Sequence, residues 1–483
     1  MGNWLDNVIG FISPVAGYRR EAWRQNLEEM RNYDAGDYGR LNANWRAVND
    51  SAEYMDRGSR DTVRARARDL ERNSDIANSV IGTYRRNVVG GGYNLQAKTS
   101  NNELNKQIED LWKRWCKKRN CDVTATQSFN QIMRMLVQRK KVDGGMLIHK
   151  VYTDGGVLPF KLQCLEVDEL DSSQVTPQKK TNKVVGGIEL NQYNRAEGYW
   201  IRQYSLDGMS IYEPVYVDAK DMIFVFSKKR PSQIREMSDM SHSVTRIRDT
   251  NEFMTAVSVK ERIAACLSVF IKQATPIGSV GRGNSTGGKY NYNGKTLTPG
   301  MINYLNPGDE VETINPSGQA TDATNFVKLH QRMIGAGQGI SYEATSRDMS
   351  ESNYSSARQG MIEDDLTYAD DKEIVIDVAD EIYETFLISA VLAGAINIPD
   401  FWNHKEEYMS HVWIQEPKRW IDPAKESTAN KTALETGQKT FKQIAAENGK
   451  DWRDQIDDMA EVLEYAREKG IEIGGGIISE KKE

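Results

Sequence analysis

The chain has little of what covalent bracing or metal chemistry is built from. Four cysteines and five histidines are spread through 483 residues. Only Cys116 and Cys121 are close, five apart, with Cys164 and Cys266 distant. That spacing excludes a disulfide framework and a zinc site and suits reduced thiols. His149, His242, His330, His404 and His411 contain no HExxH, and the last two sit seven apart on a loop-like segment, so no metal or other cofactor is expected. No apolar run approaches the ~20 residues of a spanning helix, and mean hydropathy is −0.64. An integral membrane protein is excluded on that pattern, and the first twenty residues lack the basic start of a secretory signal. No GxSxG and no Cys/His pairing stands out. Gly283 to Lys289 satisfies most of GxxxxGK[ST], but Tyr290 stands where a magnesium-binding hydroxyl belongs and no apolar helix follows. The segment reads as a loop.

What is present is length and charge. The chain is about three times the ~150 residues of one domain, so several subdomains are expected. Charged residues make up 27% and hydrophobic ones 39%, which disfavours disorder. The first 150 residues carry 26 Lys+Arg against 18 Asp+Glu, whereas the remaining 333 carry 37 against 51. Such asymmetry suits faces of opposite potential in a self-associating protein or beside a polyanion.

Along the chain, residues 1–60 read as a polar arm with one helix near Ala22–Arg31. Two short helices follow from Ser59 to Val88, broken at Asn73-Ser74-Asp75, a plausible N-cap. Gly90–Gly92 closes the second, YNLQA reads as a strand, and Leu104–Trp115 and Phe129–Gln138 as amphipathic helices. From Gly145 the period changes to two, predicting a sheet of short strands through DMIFVFS. Helical spacing returns over Ser243–Lys272, then a Gly/Asn/Ser-rich insertion and a compact hairpin at MINYLNPGDEVETINP. Ala323–Ala336 is a helix, Gly337–Asn353 a loop, Ser355–Ala393 a long helix, and Asp422–Gly470 a charged helical tail. No doubly wound enzyme pattern emerges.

Arg57, Arg60, Arg64, Arg66, Arg68 and Arg72 could neutralise nucleic acid. Asp61, Asp69 and Glu71 are interleaved with them, as on an ion-paired surface or subunit interface. Glu363, Asp364, Asp365, Asp370, Asp371, Glu373, Asp377, Asp380, Glu381 and Glu384 crowd one helix. Acid–base catalysis needs two such groups in distinct environments, whereas a run this dense covers a solvated face or lines a channel.

Five blocks in order resemble the lambda-family portal proteins of tailed bacteriophages. They are the opening helix pair (Arg68, Asp69, Leu70, Arg72, Asn73, Val89, Gly90), the strands KLQCLEVDELD and GGIELNQYNRAEGYWI, and the turn Arg230-Pro231-Ser232-Gln233-Ile234-Arg235. The fourth is Gly339, Tyr342, Glu343, Asp348 with Asn353–Arg358, and the fifth is Asp422-Pro423, Lys425-Glu426 and Gly449 with Asp451. The likeness runs from about residue 57 to 465, departing at Met237-Ser238, where the family usually has a glycine.

The resemblance implies an α+β portal fold: arm and wing with a mixed α/β sheet (1–242), stem helix (243–272), clip (273–321), second stem helix (322–336), tunnel loop (337–356), long wing helix (357–395) and C-terminal crown (396–483). It implies no enzyme but a homo-oligomeric ring of about twelve subunits at one capsid vertex of the virion, assembled in the host cytoplasm, through which double-stranded DNA is packaged and ejected. Partners would be the terminase large subunit, the major capsid protein or scaffold, and head–tail connector proteins. Ser341, Arg347, Asp348, Ser350, Asn353, Tyr354, Ser355 and Arg358 are the candidate tunnel-loop residues facing DNA. Lys328 and Arg332, four apart on one face, are candidates to line the channel, unless they only pair with acidic neighbours. Glu310, Glu312 and Thr313 are the clip's candidate partner contacts. The alternatives are another head–tail adaptor ring, or a metal-dependent nuclease or protease of virion maturation.

Overall fold

The computed structural model describes residues 11, 13–29, 44, 47–204, 211–265, 269–273, 309–313, 323–415 and 423–471. The chain divides into two units, residues 1–54 and 55–483. In the first, helix α1 spans Pro14–Glu29. It begins eight residues earlier than expected, and Pro14 suits a first helical position, where the missing N–H costs no hydrogen bond.

In the second unit, α2 (Arg60–Asn73) and α3 (Asp75–Val88) meet at Ser74, whose side chain caps α3 by accepting from the Ala77 amide. Strand β1 (Tyr93–Ala97), α4 (Asn102–Trp115) and α5 (Phe129–Asp143) follow. The alternating segment makes not one sheet but two. Strands β2 (Gly145–Tyr152), β3 (Phe160–Leu165) and β8 (Met222–Phe226) form an antiparallel sheet ordered β3-β2-β8. Strands β4 (Lys183–Val185), β5 (Ile188–Leu190), β6 (Ala196–Tyr204) and β7 (Ile211–Asp218) form an antiparallel meander. A small core of Leu147, Leu170, Ile188, Leu190, Tyr199, Ile201 and Met222 joins residues of both. The split follows from connection length, because short Gly- and Asn-containing turns keep β4–β7 local while β8 returns to β2.

Helix α6 (Val244–Ala265) is shorter than expected, since Val269–Gln273 is extended as β9 and pairs antiparallel with β10 (Asp309–Thr313). Val269, Phe270 and Ile271 are strand formers, and pairing outweighs helical spacing there. Of the hairpin expected at 301–316, only Asp309–Thr313 is among the described residues, and it pairs with β9. The Gly-rich insertion and the phosphate-loop-like Gly283–Lys289 lie outside the described residues.

Helix α7 (Ala323–Gln338) runs antiparallel to α6: Phe253 meets Phe326 at 4.2 Å, and Thr250 bonds His330 at 3.1 Å. The short α8 (Tyr342–Ser346) interrupts the expected loop, and α9 runs 39 residues from Tyr354 to Leu392. Tyr368, Val375, Val378, Ala379, Ile382, Tyr383, Phe386 and Ala390 bury one stripe of α9. Trp112 packs on Phe386 at 4.9 Å, and Trp115 stacks on Phe160 at 5.4 Å while donating to its carbonyl. Strand β11 (His411–Gln415) pairs with β1, so His411 belongs to a strand rather than a loop. The tail holds α10 (Pro423–Glu435), α11 (Phe441–Glu447) and α12 (Trp452–Glu468).

A buried ionic junction ties these parts together. Lys140 of α5 bonds Asp239 at 2.8 Å and Asp371 of α9 at 2.6 Å. Lys141 reaches Asp371 at 3.6 Å and lies 3.5 Å over the Tyr84 ring. Burial pushes the Asp239 carboxyl up, but Lys140, Lys141 and Lys229 outweigh it and hold it below the usual range. Burial likewise lowers Lys140, and its two aspartates more than reverse this.

Two stability predictions follow from this packing. Gly144 has φ +93°, and a Cβ there would lie 2.5 Å from the Met237 carbonyl carbon, whereas Gly155, at φ +86°, has no atom within 4 Å. Gly144→Ala is expected to lower the thermal midpoint clearly more than Gly155→Ala, which meets only the ~1–2 kcal/mol of left-handed backbone. Lys140→Met leaves two buried carboxylates short of a partner and is expected to cost about 3–5 kcal/mol, partly recovered by adding Asp371→Leu. Because the Asp239 pKa is depressed, its contribution is complete above pH ~4 and disappears as pH falls through the lower folded value. Acid titration of wild-type and Lys140→Met midpoints checks the sign.

Candidate functional site

The residues expected in the tunnel loop come together where α7 ends and α9 begins. Gly339, at φ +72°, turns the chain out of α7, and an added Cβ would meet Thr367 at 2.9 Å. Ser341 then caps α8, its side chain accepting from the Ala344 amide, while its own amide and hydroxyl donate to Asp364 at 2.6 and 2.7 Å. Asp364 therefore anchors the loop to the long helix. Arg347 is exposed and ends α8 in a left-handed conformation, φ +60°. Asp348 accepts from the Tyr342 hydroxyl at 3.2 Å and from the Ser350 amide at 3.0 Å. Hydrogen bonds from Ser350 hold its carboxyl below the usual range.

Asn353 caps α9: its side chain accepts from the Ser356 amide at 2.8 Å, and the Ser356 hydroxyl accepts from the Asn353 amide. Tyr354 begins the helix, and Ser355 and Arg358 are exposed on its first turns. Ser341, Ser350 and Asn353 act as capping and turn residues here. Ser352 donates to Glu343 at 2.8 Å.

Lys328 and Arg332 do share a face of α7, and both face one carboxylate. Glu351 Oε1 lies 2.6 Å from Lys328 Nζ, and its Oε2 lies 3.4 Å from Arg332 Nη2. Arg332 also lies over the Tyr342 ring at 5.3 Å. The partner missed from sequence is thus Glu351, and its only signal was its position on the loop that folds back along α7.

The acidic run on α9 is not a uniformly solvated face. Asp364 and Asp371 are buried tie points seven residues apart, Asp380 accepts from the Trp413 indole, and Glu381 pairs with Lys150 at 2.6 Å. Glu373, Asp377 and Glu384 stay exposed. Among the described residues, no three His, Cys, Asp or Glu side chains gather as a metal-ligand set.

Half of the arginine cluster, Arg60, Arg64 and Arg68, is turned inward, whereas Arg57, Arg66 and Arg72 are exposed. Arg64 binds Glu236, Asp168 and Asp61; Arg68 binds Asp143 and Asp168. Arg235, from the Arg230–Arg235 turn, holds Glu236 and donates to the Val167 and Gly186 carbonyls. The Met237-Ser238 departure is accommodated by Ser238 donating to the Lys141 carbonyl. Of the clip candidates, Glu310 faces Lys272, Glu312 faces Phe270 and Thr313 faces Val269 in the strand register.

Comparison with known proteins completes the assignment. The model of the family described as "Phage portal protein, lambda family" matches residues 38–371. The chain is similar to the "Probable portal protein" of Halomonas phage phiHAP-1, 24% identical over 449 residues, covering 89% of this chain and 86% of that one. It is also similar to "Portal protein B" of Escherichia phage lambda, 21% identical over 479 residues, covering 89% of each. A chain in the solved "Virion of native gene transfer agent (GTA) particle" aligns over 79% of this chain and 92% of its own at 13% identity, with a TM-score of 0.44. Five sequence blocks and a family match over most of the chain agree: this protein belongs to the lambda family of phage portal proteins.

Proposed function

We propose that about twelve copies close into a ring whose stem helices surround a channel for double-stranded DNA, with the clip meeting the terminase large subunit during packaging and connector proteins afterwards. Capsid protein or scaffold would hold the ring at its vertex, with assembly in the host cytoplasm. What carries the ring reading is the stem. Met254 and Val259 on α6 and Leu329 and Met333 on α7 are exposed in the single chain. A second copy of the chain, packed alongside, removes such a stripe from water. A conduit also needs weak phosphate contact, since each neutralised phosphate adds affinity that opposes sliding. The exposed acids of α9 and the carboxylate on Lys328 and Arg332 support that requirement. The chemistry of packaging then belongs to a separate motor, and this chain supplies passage and docking.

Electron microscopy of the purified chain is expected to show closed rings with a central hole. Rings should loosen at molar salt, where the Debye length is ~3 Å, and ignore reductant; the opposite pattern overturns this reading. Replacing Glu310, Glu312 and Thr313 with alanine is expected to leave rings intact and reduce terminase-dependent packaging several-fold. Normal packaging by such rings removes the docking role from the clip strand.

A further inference from the structure

One carboxylate spread over two cations has the geometry of a replaceable ligand. Lys328 and Arg332 are one helical turn apart, and Glu351 gives one oxygen to each, at 2.6 and 3.4 Å. The two non-bridging oxygens of a phosphodiester can repeat that arrangement, and a lysine and an arginine side by side are suited to bind them. The side chain of Glu351 is 60% exposed and that of Arg332 57%, with Lys328 at 21%, so a competing anion reaches Arg332 from water and meets Lys328 as Glu351 leaves.

We propose that Lys328 and Arg332 form a binding site for DNA phosphate oxygens that the chain keeps capped with its own Glu351, so that carboxylate and phosphate exchange on the same two cations. The inference rests on the channel reading above and goes beyond it by naming the competitor inside the protein.

The surroundings favour exchange over a permanent bridge. The hydrogen bond between them raises Lys328 and lowers Glu351 from their ordinary pKa values, so both stay charged through neutral pH and protonation does not lift the cap. Lys328 and Arg332 are presented by a helix, with the Arg332 guanidinium over the Tyr342 ring, and so remain in place. Glu351 instead sits on the short connection between α8 and α9. Two cations under one carboxylate leave a modest positive charge. When phosphate takes the cations, Glu351 is freed beside a like charge and its segment is pushed away. Loop position then follows the passage of phosphates.

The test uses the full-length chain and a random-sequence duplex of about 30 base pairs, with affinity measured across a salt series. Glu351→Gln, close in shape and uncharged, is expected to bind about 3- to 10-fold more tightly at low salt. Its log K against log salt slope should steepen by about 0.9 for each added phosphate contact. Adding Lys328→Gln and Arg332→Gln to Glu351→Gln should abolish the gain. Wild-type affinity and slope in Glu351→Gln, confirmed with Glu351→Ala, overturn the proposal, as does a gain that survives loss of both cations. Micrographs of the same wild-type preparation separate the two ideas. Rings whose DNA affinity ignores Glu351 reject the exchange alone, whereas absence of rings rejects the channel reading.

Discussion

The buried contact of Lys140 with Asp239 and Asp371 is the interaction on which the rest of the second unit depends. It joins α5, the segment leading into α6, and the long helix α9 at one ammonium group. Gln338, the last residue of α7, donates to the Asp239 carbonyl and to Ser243, and its own carbonyl accepts from the Tyr84 hydroxyl. Helix α6 therefore starts, and α7 ends, within reach of one polar cluster that also grips the middle of α9. A hydrophobic contact could hold these elements together equally well, but it would not specify their register. Charges that are costly to leave unpaired in a buried setting do.

From this junction the loop between α7 and α9 acquires its character. One of its ends is fixed by Asp364, which takes two hydrogen bonds from Ser341, and the other by Asn353, which caps α9. Between them, Arg347 to Ser352 is held by a few local hydrogen bonds of Asp348 and Ser352 and by the exposed contact of Glu351 with Lys328 and Arg332. A segment with fixed ends and a weakly held middle can move locally without unfolding its neighbours. That combination suits the proposed passage of a polyanion, which must not be bound strongly.

Much of the fold was legible because the local signals were strong. Tyr93–Ala97 and Asn102–Trp115 lie where their alternation and amphipathic spacing put them, and Ser74 caps as its position between two helices implies. The misread strands share one cause, which is pairing between segments far apart in sequence. Val269–Gln273 carries helical spacing but finds Asp309–Thr313, and His411 is drawn into a strand by Tyr93–Ala97. The alternating region is one run of strands in sequence and two sheets in space, because β8 closes on β2 rather than on β7.

By itself the sequence determined most element types, the α+β class and the family, because period, caps and short motifs are local properties. It also placed Lys328 and Arg332 on one face, since four residues make about one helical turn. Only the tertiary structure decided which charges are partners. Asp371 and Asp377 look alike in the acidic run, yet one is buried on two lysines and the other is exposed. Arg64 and Arg66 are two apart, yet one holds buried Glu236 and the other faces water. Charge is written in the sequence, but burial and distance, which set the strength of every ionic contact, exist only after the chain has folded.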